Sequence, residues 1–352
     1  MKIGLITSGG DCQGLNAALR GVAKTLFASV ADLQLYGIKD GYKGLIEGIW
    51  QKMTPNDFSG ILREGGTILG TSRQPFKTMD EQDETGETKL SKIIANYKKE
   101  NFDALVILGG NGTHKTAHAL CEAGVNVVTL PKTIDNDIFG TDYSFGFDSA
   151  VAQAARYLDS VHTTAASHGR IFVVELMGHK VGWITLYAGL AGGADAILLP
   201  ELPYELENVV GVIERRARVG KYFSIIAIAE GALSKEQAAL TKKERKKIDV
   251  AAGANLVNNL SARTDREVRL LVPGHFQRGG EPTATDRVLC LRLGAAAAEL
   301  VLSQQFGHMV ALRGSSIVAV PLFEVAGKTN NIPPDCEVLA QARSLGISLG
   351  DA

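Results

Sequence analysis

The sequence predicts an α/β protein of two similar three-layer lobes, each a mostly parallel sheet between helices, with the active site in the cleft between them. Three observations carry that expectation. Short apolar runs recur along the chain, each closed by glycine or proline and often followed by apolar residues at helical spacing, the mark of buried parallel strands joined by helices. The length of 352 residues suits two modest cores. Two of the runs end in glycine turns of similar grammar, at the strand ends where such sheets present ligand sites.

The first predicted strand is Lys2–Thr7, followed by Ser8-Gly9-Gly10-Asp11 and then by Leu15, Ala18, Leu19, Val22 and Leu26 at helical spacing. The pattern returns at 104–108, where LVIL runs into Gly109-Gly110-Asn111-Gly112-Thr113 and a helix predicted over 115–122 that stops at Gly124. Further strands are predicted at 126–130, Ile171–Leu176, 196–199, Ser224–Ala229 and 317–320. The acid-rich stretch 79–89 reads as an exposed loop, and KKERKK at 242–247 as a solvated helix face and not a binding patch.

A formal net charge of −1 gives no chain-wide basic field, so neither nucleic acid nor an anionic membrane is an expected partner. Bound anions then need a dedicated pocket. The cysteines Cys12, Cys121, Cys290 and Cys336 lack zinc-ligand spacing and do not suggest a disulfide framework. No apolar run reaches the roughly 18 to 20 residues of a membrane span, and the N-terminus enters a strand pattern directly. A reduced, cytoplasmic protein is the expectation.

Both glycine turns place backbone N–H groups near a helix N-terminus, where phosphate is attracted, although either could be a plain turn. The segment after the strand ending at Leu130 is more telling: Pro131-Lys132-Thr133-Ile134-Asp135-Asn136-Asp137 puts two carboxylates two positions apart beside a lysine. One can take a proton while the other holds a metal. Taken alone, the DND string would equally suit an Asx-rich turn capping a helix that begins near Gly140. Downstream, Arg170, Met177-Gly178-His179, Glu230, Arg269, His275 and Arg278 fall at predicted strand ends, which is what holding an anionic sugar requires.

With those segments in view, the chain resembles the 6-phosphofructokinase family, in colinear order from residue 2 to about 322. The resemblance lies in TSGGDCQGLNAALRG, REGGTILGTSR, ILGGNGT, PKTIDNDI, GTDYSFGFDSA, SHGRIFVVELMGHKVGW, ADAILLPE, AIAEG and VPGHFQRGG. It implies transfer of the γ-phosphoryl group of MgATP to the 1-hydroxyl of fructose 6-phosphate. Asp135 is then the general base, with Thr133 and Arg73 as the other catalytic residues. Gly10, Arg73, Gly112 and Thr113 would bind the donor phosphates, and Asn111 and Asp137 would serve Mg2+. Thr133, Asp135, Asp137, Arg170, Met177, Gly178, His179, Glu230, Arg269, His275 and Arg278 would bind the sugar phosphate. In the family, arginines of the type of Arg170 and Arg269 reach in from a neighbouring subunit, so a homotetramer with shared sites is implied. The implied donor lobe is 1–146 with 277–327, and the sugar lobe 147–276 with 328–352.

Donor choice is written at Gly112 and Lys132. Pyrophosphate-using relatives usually carry aspartate at the first position, where it fills the space of the α-phosphate; glycine leaves room for ATP. Lysine at the second is common in pyrophosphate enzymes, yet a subgroup of ATP-dependent, phosphofructokinase A type members resembles this glycine-plus-lysine combination. ATP is therefore the expected donor, with a pyrophosphate-dependent phosphofructokinase as the alternative. Asn111 stands where the family commonly has an acid, and His179 where it commonly has arginine. Glu64 and His162 interrupt the cationic cluster of Arg20, Lys24 and Lys221, so the resemblance does not extend to strong effector control.

Overall fold

A six-residue apolar segment ahead of a glycine turn is too short for a core helix, and it becomes a strand buried from Ile3 onward, β1 (Lys2–Thr7). The computed structural model describes residues 1–351 apart from 246 and 249. After β1 come α1 (Leu15–Ser29), β2 (Gln34–Ile38), α2 (Tyr42–Glu47), β3 (Trp50–Met53), α3 (Lys89–Glu100), β4 (Ala104–Gly109), α4 (Asn111–Glu122) and β5 (Val127–Pro131). Then follow α5 (Phe147–His168), β6 (Ile171–Leu176), α6 (Trp183–Ala191), β7 (Ala196–Leu198), α7 (Leu206–Arg218), β8 (Ser224–Ala229), α8 (Lys235–Ala239), α9 (Lys242–Arg245), α10 (Ala252–Ser261) and β9 (Val268–Leu271). The last elements are α11 (Ala284–Leu302), β10 (His308–Arg313), β11 (Ser316–Pro321), α12 (Leu322–Val325) and α13 (Glu337–Ser344). They cluster into two units, one of Met1–Ser149 with Arg278–Asn330 and the other of Ala150–Gln277 with the segment from Asn331 onward.

The first unit holds a seven-stranded sheet in the order β11-β10-β5-β4-β1-β2-β3. Its centre is parallel, and the edge pairs β2–β3 and β10–β11 are antiparallel. Thr7 pairs with Leu108 and Leu108 with Leu130, so β1, β4 and β5 end side by side and deliver their following loops to one place. Helices α1 and α11 cover one face. They approach closely because Gly21 and Gly294 lack side chains: a Cβ on Gly294 would lie 2.6 Å from the Ala18 carbonyl oxygen. On the other face α2, α3, α4 and α12 enclose Ile6, Ile38, Ile107, Leu120, Ile138 and Met309.

The second unit is a four-stranded parallel sheet, β7-β8-β6-β9. From one side α7 and α10 pack Val209, Ile213, Leu256 and Leu260 on Ile171, Val173, Ile226 and Ile228. From the other, α6 meets β7 where a Cβ on Gly189 would come within 2.7 Å of Ile197. Strand β9 is the sheet's edge and carries exposed Leu270 at 38% accessibility. Each unit is therefore an α/β sandwich, with sheets of unequal size.

Some expectations require correction. The second glycine turn is shorter than predicted: α4 starts at Asn111, not at residue 115, because extended Gly110 serves as its N-cap and Gly112 lies within the first turn. No helix begins near Gly140, which has φ +92°; α5 starts at Phe147. The loop 79–89 is anchored at one end by Met79, which is buried, and at the other by Thr88, whose hydroxyl caps α3 by accepting from Ser91 N at 3.0 Å. Strands β2, β3, β9 and β10 were not among the predicted runs. Helix α9 is exposed along its length, as a solvated face would be; residue 246 of that segment lies outside the described residues. Among the described residues no helix is long and apolar enough to cross a membrane.

Candidate active site

The three adjacent strand ends of the first unit gather most of the predicted donor residues. After β1 the chain reverses through Gly9 at φ +87°, a conformation that glycine adopts without strain. A Cβ on Gly10 would come within 2.8 Å of the Arg278 guanidinium, which donates from Nη1 to the Asp11 carbonyl at 2.9 Å. Arg278, expected with the sugar-binding residues, thus lies against the first glycine turn. Residues 71–73 are tied to the same turn: Gly9 N donates to the Ser72 carbonyl at 3.0 Å, and Thr71 Oγ1 to the Gly9 carbonyl at 2.7 Å. Exposed Arg73 is held beside the turn by these bonds.

At the second turn the N-terminus of α4 is open. A Cβ on Gly112 would meet nothing within 4 Å, whereas Thr113 is buried and its carbonyl accepts from the Tyr42 hydroxyl at 3.1 Å. The helix end therefore presents unpaired backbone donors and partial positive charge without an obstructing side chain. Lys132, at the end of β5, links both turns. Its backbone N donates to the Gly109 carbonyl at 3.0 Å, and its Nζ donates to the Gly10 carbonyl. Burial, reinforced by the neighbouring Arg278 charge, lowers the ammonium's pKa.

The carboxylate loop is shaped by Asn136, which sequence reading passed over as a spacer. It takes φ 54°, a left-handed conformation for which asparagine is among the better-suited residues. Its buried amide accepts from Ser144 N at 2.8 Å and donates to the Asp142 carbonyl at 3.1 Å. Asn330 donates to the Asn136 carbonyl at 3.0 Å, and Asp135 N to Thr133 Oγ1 at 3.1 Å. With Asn136 pinned, the carboxylates before and after it are held in place. The signal that could have found it is an Asn between two acids, a residue able to adopt φ > 0 and brace its own loop.

Asn111 and Asp137, predicted to share a metal, come together: Asn111 Nδ2 donates to Asp137 Oδ2 at 2.7 Å, and Asn111 Oδ1 is buried without a hydrogen-bond partner. An orphaned oxygen next to a carboxylate suits a hard cation whose remaining ligands are waters and substrate phosphates. No cluster of three or more His, Cys, Asp or Glu side chains forms a metal site among the described residues.

Of the predicted sugar residues, the second unit carries Arg170, Met177, Gly178, His179, Glu230, Arg269 and His275, while Thr133, Asp135, Asp137 and Arg278 belong to the first. Beyond β6, Gly178 and His179 both have positive φ, 149° and 54°, and their N–H groups converge on Glu230 Oε1 at 3.2 and 2.7 Å. Met177 N donates to Gln277 Oε1 at 3.3 Å. His275 and His179 are exposed. Arg170 and Arg269 both engage Glu267, whose pKa the Arg170 contact lowers. Glu267 was not anticipated, since nothing in a lone Glu marks it as a shared counter-ion.

Strand-end glycine turns, an open helix N-terminus and a braced carboxylate loop define a phosphate-handling α/β protein of the phosphotransferase kind. The Phosphofructokinase family pattern matches residues 2–301, and the chain belongs to that family. It is 50% identical over 356 residues to the ATP-dependent 6-phosphofructokinase of Spirochaeta thermophila, covering 99% of this chain and 97% of that one. To ATP-dependent 6-phosphofructokinase 3 of Bacteroides thetaiotaomicron it is 45% identical, covering 99% and 100%. Among solved structures it is similar to Pichia pastoris phosphofructokinase in the T-state, with a TM-score of 0.79 and 29% identity over 98% of this chain and 36% of that longer one. The pyrophosphate-dependent phosphofructokinase of Nitrosospira multiformis shares the fold at a TM-score of 0.83 and 17% identity, with 99% and 92% covered.

Proposed function

We propose that the protein is an ATP-dependent 6-phosphofructokinase, converting MgATP and fructose 6-phosphate to ADP and fructose 1,6-bisphosphate in glycolysis. The observation that carries this reading is the unobstructed helix N-terminus at Gly112, which follows β4, the neighbour of the strand β5 that feeds the braced Asp135–Asp137 loop. Asp135 accepts the proton of the sugar 1-hydroxyl as its oxygen attacks the γ-phosphorus and the bond to the β-phosphate oxygen breaks; general bases of this kind contribute on the order of 100- to 10,000-fold. Arg73 neutralises charge on the transferring group, and the N–H groups of the two glycine turns receive the donor phosphates. Bound Mg2+ would neutralise phosphate charge and help align the donor, held on the protein side by Asp137 and the free Asn111 oxygen. Thr133 fixes the Asp135 backbone, and Lys132 keeps the first turn in register with the second.

Met177, Gly178, His179 and Glu230 are assigned to the sugar, and His275, Arg278, Arg170 and Arg269 to its phosphate. We further infer a homotetramer in which Arg170 and Arg269 serve a neighbouring subunit's site. Support comes from edge strand β9 with its exposed flank, where Val272 is 51% and Phe276 73% accessible, a surface suited to a second copy. Buried Lys132 keeps pyrophosphate as the alternative donor. Coupled assays of purified protein with each donor decide: turnover with MgATP and little with pyrophosphate is expected, and the reverse overturns the ATP reading. Sedimentation velocity tests the assembly.

A further inference from the structure

The catalytic loop has a rear side, and a cavity of about 580 Å³ opens there, wholly within the first unit. Its walls include Tyr143 and Ser144 from the end of that loop, Leu312 from β10, and Val288, Leu289 and Arg292 from one face of α11. The size falls in the range of small-molecule sites, and the lining is mostly apolar with a few charged groups at its edge. Val288 is 56% accessible and is not sealed by the rest of the chain.

The wall is mechanically tied to the reaction centre. Ser144 Oγ donates to the Thr133 carbonyl at 2.9 Å, and Ser144 N to Asn136 Oδ1 at 2.8 Å, the bond that braces the loop between Asp135 and Asp137. Leu312 is bound to the same segment through its N–H to Thr141 Oγ1 at 3.0 Å. On the α11 side, fully buried Asp286 accepts from Gly146 N at 3.1 Å and from Ser149 N at 2.9 Å. Both its oxygens are occupied, so it fastens the wall and offers no open charge. Asp148, also in the lining, accepts from the Thr283 hydroxyl through Oδ2 alone. Arg292 donates to the Ser315 carbonyl at 2.5 Å and keeps guanidinium donors to spare.

We propose that this cavity is a regulatory site for an amphipathic monoanion, an aromatic or branched apolar body bearing one carboxylate or sulfonate, which acts on turnover by displacing Tyr143 and Ser144. The body fills the apolar walls, and the anionic group meets Arg292. The effect on turnover rests on the proposed role of the Asp135–Asp137 loop, whereas binding is read by fluorescence alone, so failure of that reading and failure of the site are distinguishable.

Anilinonaphthalene sulfonate is a suitable probe, because its fluorescence rises in apolar surroundings and its charge matches Arg292. Titration of the intact protein should give saturable fluorescence that MgATP does not displace. Val288→Trp, which fills the mouth from an exposed position, should weaken binding by about tenfold, and Arg292→Ala by roughly fivefold. Both variants should keep wild-type turnover without the probe, and wild-type turnover at saturating substrates should fall at least about twofold with it, while Val288→Trp resists. Equal affinity in all three proteins, displacement by MgATP, or unchanged wild-type turnover with the probe bound would each overturn the proposal. Should Val288→Trp fail to fold, Arg292→Ala alone still discriminates through its affinity.

Discussion

Gly112→Asp separates nucleotide recognition from folding. An added Cβ at Gly112 meets nothing within 4 Å, and the residue lies in the first turn of α4 without positive φ, so the backbone accepts a side chain. Glycine in a helix interior costs about 0.5 to 1 kcal/mol relative to alanine, and an acid near a helix N-terminus adds about 0.3 to 1 kcal/mol of stabilisation. The melting temperature should therefore stay level or rise. The α-phosphate of ATP, on the proposed reading, occupies that open space. Two like charges about 4 Å apart repel by about 4 kcal/mol at an effective dielectric of 20, and exposure of the site reduces this to about 1 to 2 kcal/mol. That corresponds to a rise in KM for ATP of about 5- to 30-fold, with further loss if the carboxylate displaces the phosphate outright. The assay is initial-rate kinetics with ATP varied at saturating fructose 6-phosphate, alongside thermal unfolding of both proteins. A KM for ATP within twofold of wild type in a folded variant would refute the assignment of Gly112 to the donor.

Asp135→Asn should keep the backbone bond to Thr133 and lower kcat by about 100- to 10,000-fold while sugar-phosphate affinity, measured by calorimetry, changes little. Glu267→Gln removes the carboxylate that engages both Arg170 and Arg269, so KM for fructose 6-phosphate should fall about two- to fivefold; a rise would mean that Glu267 orients the arginines. His114, fully buried, is driven down from 6.5 to about 3, chiefly by burial and then by the Lys132 charge. The unfolded chain takes up that proton first, so stability is whole above pH 6.5 and is lost toward pH 3 at up to about 1.4 kcal/mol per pH unit. Denaturant midpoints between pH 7 and 4 should fall less steeply in His114→Phe than in wild type, and parallel curves would contradict this.

Several elements were plain in the sequence because a buried parallel strand must be apolar on both faces: Lys2–Thr7, Ile171–Leu176 and Ser224–Ala229 have the same limits in the structure as in the reading of their apolar runs. Strand β9 escaped because it is a sheet edge with Arg269 and Leu270 exposed, and edges need not be apolar. The pair β10–β11 was half seen, although Gly314 at φ 57° between Arg313 and Ser316 is the turn a hairpin requires. Asp135 and Gly112 stand in local motifs that mark them as candidates, and Arg73 enters only through the family resemblance. Asn136 as the brace, Lys132 as the link between two turns and Glu267 as a shared counter-ion were not.

Alone, the amino-acid order determined the layered α/β architecture, the family and the residue types of a phosphoryl-transfer centre, because periodicity and short motifs are local properties. Folding decided which of those groups meet: Arg278 against the first glycine turn, Asn111 against Asp137, and a cavity backed by Ser144. Such pairings join residues up to 267 positions apart. They depend on which strands lie side by side, and that is settled by packing the whole sheet at once, so no window of sequence contains it.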